Sequence, residues 1–183
     1  MKILIGVHCN DKKSEVVASL TLRTELHLLA YHMHQPALDA AGVLAKVNSH
    51  EILKKPEKTI TPWQQSAAEL QIGIRKLLLA GNPTAFVDNA TVWLNNSTNS
   101  PLRNMFNGYI FYGIDSEQEA DFIRQNNGML IHVINVNNPR KIEIAQSEIA
   151  TYFSDPEEPS RVSLLTIAKC VREHFAMQSP EAA

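Results

Sequence analysis

Short apolar runs alternate along this chain with segments of helical periodicity, and this alternation limits the fold more than any other feature. The runs "KILIGV", "YIFYGI" and "MLIHVINV" are rich in β-branched and aromatic residues, as buried parallel strands are. Strands that alternate with helices form mainly parallel sheets with right-handed crossovers. The sequence therefore predicts an α/β fold of three layers, in which helices flank a mainly parallel central sheet.

Several segments between these runs are less regular. Residues 26–33, "LHLLAYHM", suit either a strand or a continued helix, whereas the polar residues 48–60 predict a loop. A helix is predicted from Thr61, its cap, to Gly81, and a last helix from Val162 to Phe175. Residues 177–183 are predicted to be a disordered tail.

Length and composition narrow the class of protein. The 183 residues, of which 44% are hydrophobic and 20% charged, predict a single domain over residues 1–176. A formal net charge of -2 gives no basic field, so nucleic acid is not an expected partner. No apolar run approaches the length that spans a membrane, so no membrane partner is expected either. Cys9 and Cys170 are far apart and predict no disulfide framework, which favours a reducing cytoplasm.

The segment "GVHCNDKKS" between the first strand and the first helix contains the strongest functional motif. A phosphate-binding loop has the pattern G-x-x-x-x-G-K-[ST], in which glycines let backbone N–H groups approach the anion. Gly6 and Lys12 fit this pattern, but Asp11 replaces its second glycine, Lys13 follows, and Ser14 comes one position late. Two unit charges about 4 Å apart repel by roughly 4 kcal/mol at an effective dielectric constant of about 20. Asp11 therefore opposes phosphate binding, and an ordinary strand–turn–helix connection with solvated charges is the alternative interpretation.

The order of segments from Met1 to about Asn138 resembles the bacteriophage deoxynucleoside monophosphate kinases, which have the P-loop kinase fold. The opening strand and loop, "HLLAYHMHQPALDAAG" and "YIFYGIDSEQEADFIRQNNGMLIHVINVNNP" carry this resemblance. It implies a P-loop kinase-like fold, a homodimer, and ATP and Mg²⁺ as cofactors if the activity is retained. It also implies the cytoplasm of an infected host cell as the location.

The same resemblance shows that most of the expected site residues are changed. Leu38 stands where the family has a lysine, and Trp63 where it has an arginine. Gly113 replaces a carboxylate, and Asp115 replaces an arginine. Phosphoryl transfer depends on positive charge placed around the migrating group. If each lost group contributes about a hundredfold, three losses cost about 8 kcal/mol of barrier lowering.

Other residues give weaker motifs. Histidines 27, 32, 34 and 50 have no completing cysteine or carboxylate at a convincing spacing, so no metal site is predicted. His132 and Trp93 are expected to pack in the fold, and Trp63 to fill the former acceptor cleft or to contact a partner. No nucleophile motif supports a Ser/His/Asp arrangement.

Three functional hypotheses follow. The first is a catalytically degenerate kinase-like protein that binds a host protein or a nucleotide without phosphoryl transfer. The second is an active kinase that transfers the ATP γ-phosphate with an atypical loop, in which Lys12, Lys13 and Ser14 contact the phosphates. The third is a structural subunit. A fold does not fix an activity when the site is altered, so we expect the first.

Overall fold

A computed structural model describes residues 2–54, 66–154 and 159–177. The described residues form five strands, seven α-helices and a short 3₁₀ helix, Pro101–Met105. The strands are β1 Ile3–Cys9, β2 Leu28–His32, β3 Gly108–Tyr112, β4 Met129–Asn135 and β5 Ile149–Phe153. The helices are α1 Lys12–Leu26, α2 Gln35–Ala45, α3 Ser49–Lys54, α4 Ala67–Gly81, α5 Ala85–Thr98, α6 Glu117–Gln125 and α7 Arg161–Met177.

The five strands form one sheet in the order β2-β3-β1-β4-β5, and all four pairings are parallel. β1 is central, with Ile5 paired to Ile110 of β3 and to Met129 of β4. The predicted α/β class with its parallel sheet is confirmed, and the layers agree with a P-loop kinase-like fold.

Helices cover both faces of this sheet. Ile5 and Val7 of β1 point to the face covered by α1 and α7, where their neighbours include Leu22 and Leu164. The alternate position Gly6 points to the opposite face, toward Ile123 of α6. Because successive strand residues face opposite sides, β1 and β4, which are mostly apolar and mostly buried, bury both sides, as a parallel sheet between helices requires.

The chain divides into two compact units. One comprises the residues up to Met33 and those from Leu94 onward, and it contains the whole sheet. The other is helical and spans His34–Trp93. Its own small core consists of Leu38, Ala41, Ile52 and Ala67.

Three segments refine or correct the sequence predictions. Residues 28–32 of the ambiguous segment 26–33 form β2. The loop predicted from residue 48 is wrong over Ser49–Lys54, which form α3 because Ile52 is buried in the helical unit's core. Helix α4 begins after Ser66, whose side chain forms a capping box with Glu69, rather than after Thr61.

Other predictions fall partly beyond the described residues. Thr61, Pro62 and Trp63 lie outside them, as do residues 178–183 of the predicted tail, whereas Met177 ends α7. Strand β5 was not predicted, because it is a half-exposed edge strand of five residues with weak alternation.

Candidate functional site

The topology places the candidate site at the carboxyl ends of β1 and β3. These strands are neighbours, but β1 leads into α1 on one face of the sheet and β3 leads into α6 on the other. Open α/β sheets bind ligands in the crevice that forms where two such connections diverge. The residues of the predicted phosphate loop lie at this edge.

Gly6 lies inside β1, paired with Phe111 and Leu130, and not in a loop. A Cβ atom built on Gly6 would lie 2.7 to 2.9 Å from side-chain atoms of Ile114, Ile123 and Leu130. Real Cβ atoms do not approach other atoms so closely, so glycine is required here for packing against α6. The structure gives Gly6 a role in the core.

The connection between β1 and α1 consists of Asn10 and Asp11 alone. Asp11 is the N-cap of α1, and its Oδ2 accepts hydrogen bonds from Ser14 N at 2.9 Å and Ser14 Oγ at 2.7 Å. An N-cap carboxylate satisfies an end N–H group and complements the positive end of the helix dipole. A carboxylate therefore occupies the position at the helix N-terminus where a phosphate loop would hold its anion.

Asn10 fixes this turn to the end of β4. Its Nδ2 donates to Asn135 O at 2.9 Å and to Asn138 O at 3.0 Å, and its Oδ1 accepts from Asn135 N at 2.7 Å. Asn138 Nδ2 donates in return to Asn10 O at 3.2 Å. These four hydrogen bonds make the turn a rigid connection.

The two loop lysines differ from Ser14 in exposure. Lys12 and Lys13 are exposed in the first turn of α1, whereas Ser14 is buried and donates its hydroxyl hydrogen to Asp11. The hydroxyl that would hold Mg²⁺ in a phosphate loop is thus engaged with the capping carboxylate.

A second group of side chains lies beside the turn, at the ends of β2 and β3. His32 Nε2 lies 3.4 Å from Glu15 Oε1, and the His32 ring packs edge-on against Tyr112 with centroids 4.8 Å apart. Burial raises the pKa of the Tyr112 hydroxyl and, together with Glu15 and Asp11, the pKa of the Cys9 thiol. Both groups are therefore protonated at neutral pH, and Cys9 is not an activated nucleophile.

Gly113 and Asp115 are two of the positions at which this chain differs from the family it resembles, and their neighbours in the structure explain the residues found there. Gly113 has a φ of 76°, and a Cβ there would lie 2.5 Å from the His32 ring, so the carboxylate that the resemblance expects does not fit. Asp115 forms an ion pair with Lys141, with 2.5 Å between Oδ1 and Nζ. It brings negative charge to the edge where the resemblance expects an arginine.

The other two altered positions are Leu38 and Trp63. Leu38 is fully buried in the core of the helical unit, with Ala41, Ile52 and Ala67. Trp63 lies outside the described residues. That Leu38 replaces a site lysine stays what the resemblance implies, and the predicted role of Trp63 stays a prediction.

A buried polar cluster on the α6 face of the sheet was not predicted from the sequence. His132 Nε2 donates to Glu148 Oε2 at 2.9 Å, and Arg124 Nε donates to Glu148 Oε1 at 2.8 Å. His8 Nδ1 donates to Ile114 O at 2.9 Å, and the His8 and His132 rings meet edge-on at 5.5 Å. The cluster links β1, β4, α6 and the segment before β5.

The pKa values of this cluster follow from burial and hydrogen bonding. Burial lowers the pKa of His132, against the opposing effect of Glu148. Burial alone would raise the pKa of Glu148, but hydrogen bonds from Arg124, Ala145 N and His132 lower it on balance. Neutral His132 and ionised Glu148 are therefore the forms of the folded protein at neutral pH.

His27 and His34, two other histidines named in the sequence analysis, have structural partners. His27 adopts a left-handed conformation after α1 and donates from Nε2 to Met105 O at 2.7 Å, and His34 packs against Phe86. Within the described ranges, no three His, Cys, Asp or Glu side chains are grouped so that they could hold a metal ion. No helix of the described chain is both long and apolar enough to cross a membrane.

Comparison with protein-family models and with curated proteins finds no match to this chain.

Proposed function

We propose that this chain is a degenerate relative of the phage nucleoside monophosphate kinases that acts by binding a protein partner and not by phosphoryl transfer. Asp11 carries this proposal. Its carboxylate caps α1 and accepts hydrogen bonds from both the backbone and the hydroxyl of Ser14. A phosphate at the same helix N-terminus would have to displace that carboxylate or lie against it, with a repulsion of roughly 4 kcal/mol at about 4 Å.

The rigidity of the turn supports the same proposal. A phosphate loop needs several successive N–H groups that curve around the anion, and glycines that allow this curve. Here the connection has two residues, and Asn10 holds it through hydrogen bonds to Asn135 and Asn138. Opening this turn around a triphosphate would break these bonds, each of which contributes about 1 kcal/mol to stability.

The charges around the edge give further support. Asp11, Glu15 and Asp115 bring three carboxylates to the carboxyl ends of β1 and β3, where a kinase places cations around the migrating group. Lys141 offsets Asp115, and Lys12 and Lys13 at the start of α1 offset the other two carboxylates. The edge therefore has no excess of positive charge, whereas the transition state of phosphoryl transfer requires one.

Exposed apolar side chains on the helical unit favour a protein as the ligand. Val43 is 78% exposed and its neighbour Leu44 is 51% exposed, and Leu77 of α4 is 74% exposed. Val43 and Leu44 are consecutive residues of α2, and neighbouring exposed apolar side chains are typical of surfaces that contact other proteins. Of the two ligands in the first hypothesis, a host protein and a nucleotide, these side chains favour the host protein.

Catalysis is tested by measuring ATP- and Mg²⁺-dependent phosphate transfer to deoxynucleoside monophosphates. We expect no transfer from the wild-type protein, nor from Asp11→Gly, in which the carboxylate is removed but the other site residues are unchanged. Transfer that Lys12→Ala abolishes and that Lys169→Ala, a control on α7, leaves unchanged would contradict the proposal.

Partner binding is tested with purified protein on a matrix and an extract of host cells. We expect a specific host protein to be retained by the wild type and lost with Val43→Asp. Val162→Asp is the matched control, because Val162 is 73% exposed but lies on α7. Equal retention by all three proteins would exclude the helical unit as the binding surface.

A further inference from the structure

An open groove of about 650 Å³ lies at the amino ends of the strands, opposite the candidate site. It is lined by residues from four parts of the sheet-containing unit, among them Lys2, Arg103, Phe106, Asn107, Arg172 and Phe175. Its volume is within the range of pockets that hold small ligands.

Three cations converge on this groove although the chain has a net charge of -2. Glu25 offsets one of them, because its Oε2 lies 3.8 Å from Arg172 Nη2. The C-terminal ends of α1 and α7 also lie here and together contribute about one further unit of negative charge at most. Positive charge still exceeds negative charge, so the groove attracts anions.

Two of the cations are held in place by backbone carbonyl groups. Lys2 Nζ donates to Phe106 O at 2.5 Å and also to Arg103 O. Arg172 donates to Glu25 O at the end of α1. Carbonyl groups orient a cation without neutralising its charge, so these contacts position positive charge at the groove wall in advance of any ligand.

The side chain of Arg103 has fewer contacts that fix its position than those of Lys2 and Arg172. It is exposed in the short 3₁₀ helix, and among the described residues its guanidinium makes a long hydrogen bond of 3.4 Å to Thr98 O. A guanidinium group has five N–H donors in a planar fork that matches two oxygens of a phosphate. Most of these donors remain available to a ligand in the groove.

We propose that this groove binds a small phosphate-bearing ligand, with the Arg103 guanidinium as its principal contact and Lys2 and Arg172 as supporting charges. Charge-assisted, bidentate hydrogen bonds from arginine are the strongest protein contacts to phosphate. The half-buried Phe106 ring adds apolar surface for an organic group attached to the phosphate. This site is independent of the proposed function, because it uses none of the residues at the carboxyl edge.

Isothermal titration calorimetry at low ionic strength tests the site, with inorganic pyrophosphate and adenosine monophosphate as probes. We expect the wild-type protein to bind at least one probe, with affinity that falls as salt is added. Arg103→Ala should weaken binding about tenfold or more, since a hydrogen bond to a charged group contributes about 1.5–3 kcal/mol. Lys169→Ala, which removes an exposed cation of α7 outside the groove, should not change it.

The two probes distinguish the source of the phosphate. Tighter binding of adenosine monophosphate indicates a phosphate ester whose organic part contacts Phe106, and tighter binding of pyrophosphate indicates a free phosphate ion. Arg103→Lys keeps the charge without the fork, and we expect an intermediate affinity. The absence of binding by the wild type, or equal affinity of Arg103→Ala and Lys169→Ala, would overturn the proposal.

Discussion

The two edges of the same sheet differ in both rigidity and charge. At the carboxyl edge, Asn10 and Asp11 form a two-residue turn closed by hydrogen bonds, and Glu15 and Asp115 add negative charge. At the amino edge, Lys2, Arg103 and Arg172 surround an open groove. Parallel α/β sheets normally bind anions at their carboxyl edge. The two proposals together imply that side chains, and not the fold alone, decide which edge of such a sheet holds an anion, and that a capping carboxylate opposes anion binding at the carboxyl edge.

The largest effect is expected for Gly6→Val, which tests whether Gly6 belongs to the core or to a loop. A valine side chain would overlap Ile114, Ile123 and Leu130, so we expect a loss of about 3 kcal/mol in the free energy of unfolding. Urea denaturation measures this loss. Gly73→Ala is the control, because nothing lies within 4 Å of its Cβ position in α4, and it should stabilise by up to about 1 kcal/mol. Unchanged stability of Gly6→Val would place this residue in a loop after all.

Asn10→Ala tests the rigidity of the turn. The variant leaves the buried Asn135 N–H without its acceptor, and we expect a loss of about 2 kcal/mol in the free energy of unfolding. Asn89→Ala removes an exposed amide that bonds within α5, and its effect should stay within about 0.5 kcal/mol. Equal effects of the two substitutions would show that the turn is not held by Asn10.

Asp11→Ala tests the capping carboxylate. Removal of an N-cap costs about 1 kcal/mol, whereas Asp11→Ser should retain most of the stability because serine is an equally good cap. The free energies of unfolding of the two variants at pH 7 provide the measurement. If Asp11→Ala is as stable as the wild type, the carboxylate does not cap α1 in solution, and the contrast between the edges fails.

The smallest effect is expected from pH, through the buried cluster that lies between the two edges. Because the pKa of His132 is lowered in the folded protein, its contribution to stability is complete above the unfolded pKa of 6.5 and is lost as the pH falls through the folded pKa. The pKa of Glu148 is also lowered in the folded protein, so its contribution to stability is likewise lost as the pH falls below 4.5. Urea midpoints at pH 7.5, 6.5 and 5.5 should decline in the wild type and decline less in His132→Gln. Midpoints that rise on acidification would contradict the burial of neutral His132.

The fold was largely predictable from the sequence, because β1, β3 and β4 are continuous apolar runs separated by capped helices. β5 was not, since a half-exposed edge strand lacks a clear pattern. The role of Asp11 as the N-cap of α1 could have been predicted, because aspartate directly before an amphipathic segment is a typical N-cap. The pairing of Arg124 with Glu148, and the convergence of Lys2, Arg103 and Arg172, depend on tertiary contacts between distant parts of the chain.

The central claim, that the turn at residues 10 and 11 does not hold phosphate, is tested most directly by titrating ATP with and without Mg²⁺. The titration compares the wild type with Lys12→Ala and Arg103→Ala. We predict that Lys12→Ala leaves any ATP binding unchanged, that Mg²⁺ does not strengthen it because the metal ion neutralises charge on the phosphates, and that Arg103→Ala weakens it. Mg²⁺-dependent binding that Lys12→Ala abolishes and Arg103→Ala leaves intact would contradict this account.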